Sequence, residues 1–168
     1  MPPSSSELLV EKALRLLAQE FPDSAGGKKA ALFHSVRVGT RLWRDGYPIE
    51  TVLGGFLHDV LEDTSVTREK LAEMFGPEVA GIVAANTKDM SVEKTSRGQE
   101  LIARCAAHSV EAAVIKAADI LDNYVNYGQL GDKPEVERAR KLAALLAAAT
   151  AHAEGANIFA DLRQVAAE

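Results

Sequence analysis

The sequence of 168 residues is poor in aromatic side chains, has a single cysteine and carries no excess of positive charge. An aromatic fraction of 5% argues against a β-sandwich or a β-barrel, whose strands draw on aromatic and β-branched residues. The lone Cys105 excludes an intramolecular disulfide and a cysteine-rich zinc cage, and it fits a reducing compartment. The formal charge of -5 provides no global basic field, so we expect no binding to duplex nucleic acid.

Long apolar runs are also missing, which argues against a membrane span. Residues 1–7 lack the positively charged start and the apolar core of a secretory signal peptide. We therefore expect a soluble, cytoplasmic protein that makes no use of a membrane. The sequence leaves the oligomeric state open.

Apolar residues recur at helical spacing through nearly the whole chain, and Ala, Leu, Glu, Lys and Arg are abundant, which predicts an all-α fold. Ser4 and Glu7 form a predicted capping box at the first helix. Size and composition indicate one domain over residues 1–168, with a core of about 28–127 and C-terminal packing helices of about 134–165. The predicted helices span residues 6–21, 28–44, 48–62, 67–75, 77–86, 96–108, 110–127, 134–153 and 156–165.

The helix predicted over residues 48–62 contains ionisable residues in an apolar stretch, LHDVLED. Burying such groups is costly unless they are paired or bound to a metal. Glu62 follows His58 by four residues and Asp63 follows Asp59 by four, so each is predicted to stack one turn above its predecessor. The stretch therefore predicts two ligands with two acid/base groups beside them.

A His-Asp dipeptide alone is a weak signal because chance produces it often. Two further residues strengthen it, namely His34 on an upstream helix and Asp119 in the apolar helix VIKAADIL. Imidazole and carboxylate groups together suit a divalent ion such as Mn²⁺, Fe²⁺ or Zn²⁺. The four residues predict a metal site.

The order His34, His58-Asp59, Asp119 resembles the H...HD...D pattern of the HD superfamily, whose members are helical metal-dependent phosphohydrolases. HDVLEDT (58–64), FGPEV (75–79), Thr87-Lys88 and KAADILDN (116–123) resemble the hydrolase domain of RelA/SpoT-type alarmone enzymes. The resemblance covers roughly residues 34–126, and no synthetase region follows, as in the small stand-alone hydrolases of that family. It implies an HD-domain helical bundle.

The resemblance also implies roles for individual residues. It implies one divalent ion, usually Mn²⁺, with Fe²⁺, Zn²⁺, Co²⁺ or Ni²⁺ as alternatives. The implied metal ligands are His34, His58, Asp59 and Asp119, and the implied catalytic carboxylates are Glu62 and Asp63. Asn123 matches a family residue that faces the substrate.

Three basic residues are further candidates for contacts with substrate. Arg37 follows His34 by about one turn and is predicted to face the same cleft, while Lys29 lies just upstream. Lys116 precedes Asp119 by three residues, and either a phosphate contact or an ion pair with that acid fits this spacing.

The sequence departs from the alarmone hydrolases at several positions. A basic segment upstream of the first His, which helps to hold guanine in the family, is replaced by residues 23–25 (Asp-Ser-Ala), and a Pro is replaced by Ser35. Ile120 and Val125 stand where the family has Arg. The leading prediction is a (p)ppGpp 3′-pyrophosphohydrolase-like enzyme acting on a phosphorylated nucleotide. The alternatives are an HD nucleotidase or phosphatase for another phosphorylated small molecule, and a non-catalytic nucleotide-binding HD module.

Overall fold

The computed structural model describes residues 3–21, 30–153 and 157–168, and in these ranges the regular elements are α-helices, with no strand. The prediction of an all-α fold is confirmed. The chain divides into two compact units, Met1–Thr87 and Lys88–Glu168. This boundary falls inside the core predicted over residues 28–127, and the single domain stays a prediction.

The first unit is built around a short central helix. Its helices are α1 (Ser5–Glu20), α2 (Ala31–Arg44), α3 (Ile49–Leu57), α4 (Val60–Asp63), α5 (Arg68–Phe75) and α6 (Pro77–Asn86). Helix α3 is buried from Thr51 to Leu57 and packs against α1, α2 and α6, while α5 packs against α6. A helix that is apolar on all sides is expected in such a central place.

The second unit is arranged around a long helix. It contains α7 (Arg97–His108), α8 (Val110–Leu130), α9 (Lys133–Ala149) and α10 (Ile158–Ala167). Helix α8 is buried from Ala112 to Leu121, and α7, α9 and α10 pack against it. Among the helices described in either unit, none combines the length and the apolar character that crossing a membrane requires.

Helix ends follow their sequence signals in most places. The predicted capping box is present, because the Ser4 hydroxyl accepts a hydrogen bond from the backbone N–H of Glu7 and the Glu7 carboxylate accepts one from the backbone N–H of Ser4. The end predicted for the helix over residues 110–127, directly before Gly128, is wrong. Helix α8 continues to Leu130 and ends at Gly131, whose φ of 70° is a left-handed conformation that glycine adopts at little cost. The predicted start of the second helix at Lys28 lies outside the described residues.

Helices α2 and α3 approach each other closely at two glycines. A Cβ atom added at Gly55 would lie 3.3 Å from the Cα of Gly39, and one added at Gly39 would lie within 3.0 Å of the ring of Phe56. The absence of side chains at both positions lets the two backbones meet. This contact sets the distance between α2, which carries His34, and α3, which His58 follows.

Candidate metal centre

The His-Asp dipeptide lies at a break between two helices. The prediction of one helix over residues 48–62 is wrong, because α3 ends at Leu57 and α4 begins at Val60. Asp59 has φ -94° and ψ -4°, in the sparsely populated bridge region where many active-site residues occur. Its carbonyl accepts hydrogen bonds from the backbone N–H groups of Glu62 (3.1 Å) and Asp63 (2.9 Å), so both predicted catalytic residues belong to α4 rather than to a continuation of α3.

His58 is held in one orientation by its own helix. Its side chain is 2% exposed, and Nδ1 lies 2.8 Å from the backbone oxygen of Gly55. The carbonyl oxygen can only accept, so Nδ1 donates, and in the neutral imidazole the lone pair is on Nε2. A neutral imidazole whose lone pair is on Nε2 can bind a metal through that atom.

The two histidines meet through their Nε2 atoms. His34 is fully buried, and its Nε2 lies 3.2 Å from Nε2 of His58, with the rings edge to face at 73°. Two nitrogens that share one ion at about 2.1 Å lie about 3.0 Å apart at a right angle and about 3.4 Å apart at a tetrahedral angle. The observed distance lies within this interval. It also suits one N–H···N hydrogen bond, whose proton an incoming ion would displace.

Asp59 completes a compact donor set. Its Oδ1 lies 3.3 Å from Nε2 of His58, and its Oδ2 lies 3.8 Å from Nε2 of His34. One donor atom from each residue falls within 4.8 Å of the others. Two imidazoles and one carboxylate fit a divalent transition metal, and three protein ligands leave coordination positions for water or substrate. The structure therefore brings together three of the four predicted ligands, in a cluster suited to hold a metal.

Asp119 lies in the second unit and has two partners on its own helix. The carboxylate is largely buried, accepting a hydrogen bond from Nζ of Lys116 (2.7 Å) on Oδ2 and one from Nδ2 of Asn123 (2.6 Å) on Oδ1. The spacing of Lys116 thus gives an ion pair with Asp119. Its role as a ligand stays a prediction.

Three of the remaining predicted site residues lie on helices α2 and α4. Glu62 is half-buried and Asp63 is exposed, both on α4. Arg37 places its guanidinium carbon 5.0 Å from the ring centroid of Phe33, one turn before it on α2. Lys29 lies outside the described residues, as does the segment 23–25.

Two contacts of the predicted site residues are not expected from the sequence pattern. The carbonyl of Gly55 orients His58, and a backbone acceptor leaves no mark in the pattern of side chains. Phe33 is 60% exposed beneath Arg37. The spacing of four residues between Phe33 and Arg37 is the sequence feature that could have predicted their contact.

Comparison with known families agrees with this cluster of His and Asp. A family model described as HD domain matches residues 13–164. The chain belongs to the HD domain family. The match spans both compact units, from within α1 to within α10.

Two curated proteins that are similar to this chain share one name. The chain is 43% identical over 72 residues to the guanosine-3′,5′-bis(diphosphate) 3′-pyrophosphohydrolase MESH1 of Drosophila melanogaster, covering 43% of this chain and 40% of that protein. It is 35% identical over 92 residues to the MESH1 protein of Danio rerio, covering 54% and 51%. The matched part of the chain thus spans about half, or less, of the length of these relatives.

Two solved structures resemble most of the chain. One, described as a metazoan ortholog of SpoT that hydrolyses ppGpp and plays a role in starvation responses, aligns with a TM-score of 0.75 and 27% identity over 98% of this chain and 96% of the other. A structure of lmo0812 from Listeria monocytogenes EGD-e aligns with a TM-score of 0.68 at 22% identity, covering 83% of this chain and 94% of the other, and shows the fold alone.

Proposed function

We propose that this protein is a metal-dependent phosphohydrolase that removes the 3′-pyrophosphate of ppGpp or a closely related nucleotide. The observation that carries the proposal is the buried cluster of His34, His58 and Asp59, whose donor atoms converge within 4.8 Å. Buried ionisable groups are costly without a partner, and a bound cation would provide one. The names of the curated relatives and of the similar solved structure support the choice of substrate.

The proposed centre holds one divalent ion, for which Mn²⁺ is our first choice. His34 and His58 would bind it through Nε2 and Asp59 through a carboxylate oxygen, and Asp119 would serve as the fourth ligand. When bound, such an ion supplies a water molecule of lowered pKa and neutralises charge on the phosphate oxygens. The hydrogen bonds that Lys116 and Asn123 donate to Asp119 would fix the orientation of that carboxylate.

Glu62 and Asp63 are the proposed acid/base groups. Their backbone N–H groups both bond to the carbonyl of Asp59, which ties the start of α4 to a ligand residue. A carboxylate at this place can take a proton from the attacking water and return one to the leaving group. Glu62, the more buried of the two, is the better candidate for the proton transfer.

Substrate contacts are proposed from cationic and amide side chains. A chain with a formal charge of -5 must hold an anionic nucleotide through local cations and the metal. We assign this role to Arg37 and Lys29 for phosphate groups. Lys116 would contact a phosphate, and Asn123 the nucleoside, in addition to the hydrogen bonds that both donate to Asp119.

A second candidate function rests on two positions of α8. The resemblance to alarmone hydrolases would place Arg at residues 120 and 125, whereas Ile120 is 2% exposed and Val125 is 55% exposed. Neither side chain can bind guanine or phosphate by hydrogen bonds. An HD-family nucleotidase or phosphatase for another phosphorylated small molecule therefore remains the competing proposal.

The decisive experiment is a hydrolysis assay with the purified protein and added Mn²⁺. Its substrates are ppGpp, 3′- and 5′-nucleotides and NADP(H), and the products are identified. The proposal expects ppGpp to be the best substrate, with water consumed and GDP and pyrophosphate formed. Preferential release of orthophosphate from another substrate would support the second candidate, and no hydrolysis by the metal-loaded protein would refute both.

The ligand assignments are tested by elemental analysis of variants. We expect about one ion per chain in the parent protein, since the sequence provides one set of ligands. His34→Ala should lose the ion, whereas His108→Ala, which changes an exposed histidine at the end of α7, should retain it. Asp119→Ala should also lose the ion, and retention there would remove Asp119 from the proposed ligand set.

A further inference from the structure

A cavity of about 330 Å³ lies between α1 and α2 in the first unit. Helix α1 lines it with Glu7, Val10, Glu11 and Leu14, whose spacing of three, four and seven residues from the first places them on one helix face. We call this cavity the α1–α2 groove. It has no part in the proposed metal centre.

Helix α2 provides the opposite wall with Val36, Thr40 and Trp43. At about 100° per residue these three positions lie roughly 180° to 240° around the helix axis from His34, hence on the other side of α2. A ligand in the α1–α2 groove would therefore not occupy the site of the metal or of its substrate.

The size and lining of the groove fit a small organic molecule. Ligand sites typically have volumes of about 300–1,000 Å³ and are mostly apolar with a few placed polar groups. Here Val10, Leu14 and the almost fully buried ring of Phe56 form apolar surface, and Trp43 remains 40% exposed. An accessible indole ring beside a buried phenyl ring can bind both an apolar body and a cation.

The charged side chains that line the α1–α2 groove are negative. Among the described residues that line the groove, the charged ones are Glu7 and Glu11. Hydrogen bonds from the backbone and then the side chain of Ser4 lower the pKa of Glu7, which is therefore ionised at neutral pH. Glu11 pairs with Arg15 on the exposed face of α1, and exposed pairs of this kind are weak enough to be replaced by a competing cation.

We propose that the α1–α2 groove binds a small organic cation. Its ammonium group lies by the carboxylates of Glu7 and Glu11, and its apolar part lies against Trp43 and Phe56. The site takes amines or quaternary ammonium compounds with an apolar substituent, and it excludes anions of the same shape.

Trp43 is the only tryptophan of the chain, so its fluorescence reports on the groove directly. The probe is benzyltrimethylammonium, with benzyl alcohol as the neutral comparator and phenylacetate as the anionic one. We expect a saturable change of fluorescence with the cation, binding of the alcohol at least about threefold weaker, and no saturable change with the anion. Equal binding of cation and alcohol, or no saturable response to the cation, would overturn the proposal.

Three variants refine the test. Glu7→Gln removes the negative charge, and glutamine can still serve in the capping box with Ser4. Glu7→Gln and Glu11→Gln should each weaken cation binding roughly threefold. Glu100→Gln is the matched control, because Glu100 forms the same kind of four-residue pair with Arg104 on α7. It should bind the cation as the parent does. Parental affinity in both groove variants would contradict the assigned charge.

A substitution that fills the groove provides an independent check. Val36→Phe adds a ring inside it and should abolish the response of Trp43 to the cation. The glutamine variants change exposed side chains, so they remain informative if Val36→Phe does not fold. Retained cation binding in a folded Val36→Phe protein would place the ligand elsewhere and refute the site.

Discussion

The contact between α2 and α3 can be tested by adding one methyl group at Gly39. A Cβ atom at this position would lie less than 3.0 Å from three ring atoms of Phe56, closer than real Cβ contacts come. Phe56 is 3% exposed and borders the α1–α2 groove, so its ring cannot give way without leaving its packed position. Gly39→Ala must therefore push α2 and α3 apart or displace this ring.

The expected cost follows from two opposed effects. Overpacking of a core typically costs about 1–3 kcal/mol. Alanine also favours a helix interior over glycine by about 0.5–1 kcal/mol. Because three atoms of a buried ring are involved, we expect a net loss of about 2 kcal/mol. For a protein of this length that corresponds to a melting temperature lower by about 4–8 °C.

Thermal unfolding followed by circular dichroism and by Trp43 fluorescence measures this loss, since Trp43 lies in the same unit as Gly39. Gly128→Ala is the matched control. Gly128 lies within α8, and an added Cβ meets nothing within 4 Å, so this variant should gain about 0.5–1 kcal/mol. We therefore expect the free energy of unfolding to fall in Gly39→Ala and to rise in Gly128→Ala. A Gly39→Ala protein as stable as its parent would refute the close contact and the helix spacing derived from it.

The same variant links the helix contact to the metal centre. His34 lies on α2 and His58 directly follows α3, so a displacement of the helices changes the distance of 3.2 Å between their Nε2 atoms. We expect Gly39→Ala to bind Mn²⁺ more weakly than Gly128→Ala in a titration that measures the dissociation constant. Equal affinities would show that the two histidines do not depend on this contact.

Three further results are expected. Glu62→Gln should lower turnover by roughly 10²- to 10⁴-fold with parental metal content, because Gln cannot exchange the proton, and parental turnover would exclude Glu62 from the chemistry. Mn²⁺ should raise the melting temperature of the parent but not of Asp59→Ala, and an equal rise in both would exclude Asp59 as a ligand. Burial raises the pKa of the Cys105 thiol from 9.0 to about 11. The unfolded state therefore loses this proton first, and the free energy of unfolding should fall by up to about 2.7 kcal/mol in total as the pH rises from well below 9 to well above 11. Denaturant titrations of Cys105→Ala should lack that part of the fall.

The sequence predicts helix ends well where a residue with a specific chemical role marks them. The capping box of Ser4 and Glu7 and the Gly76-Pro77 step between α5 and α6 are both confirmed. Gly128 shows why such markers fail. Glycine is tolerated inside a helix at a cost of about 1 kcal/mol, so its presence alone does not end one. The end at Gly131 depends on backbone conformation, which composition does not reveal.

The candidate site is predicted less completely than the helices. The residue types of His34, His58 and Asp59 were sufficient to propose a metal cluster, because buried ionisable groups in apolar helices need a partner. The break between α3 and α4 was missed, since neither glycine nor proline stands at the junction and helical periodicity hardly changes over two residues. The distance between the histidines depends on the angle and distance at which α2 crosses α3. The helical periodicity of apolar residues does not reveal either quantity.

One hydrogen bond explains both the helix break and the state of His58. Gly55 is among the last four residues of α3, whose carbonyl groups have no partner within the helix. The Nδ1–H group of His58 donates to this carbonyl at 2.8 Å, so the side chain satisfies the backbone where α3 ends. In the neutral imidazole the same bond puts the lone pair on Nε2, which lies 3.2 Å from Nε2 of His34. Because the fold already orients the imidazole, binding of an ion need not order it, and that part of the entropic cost is met during folding.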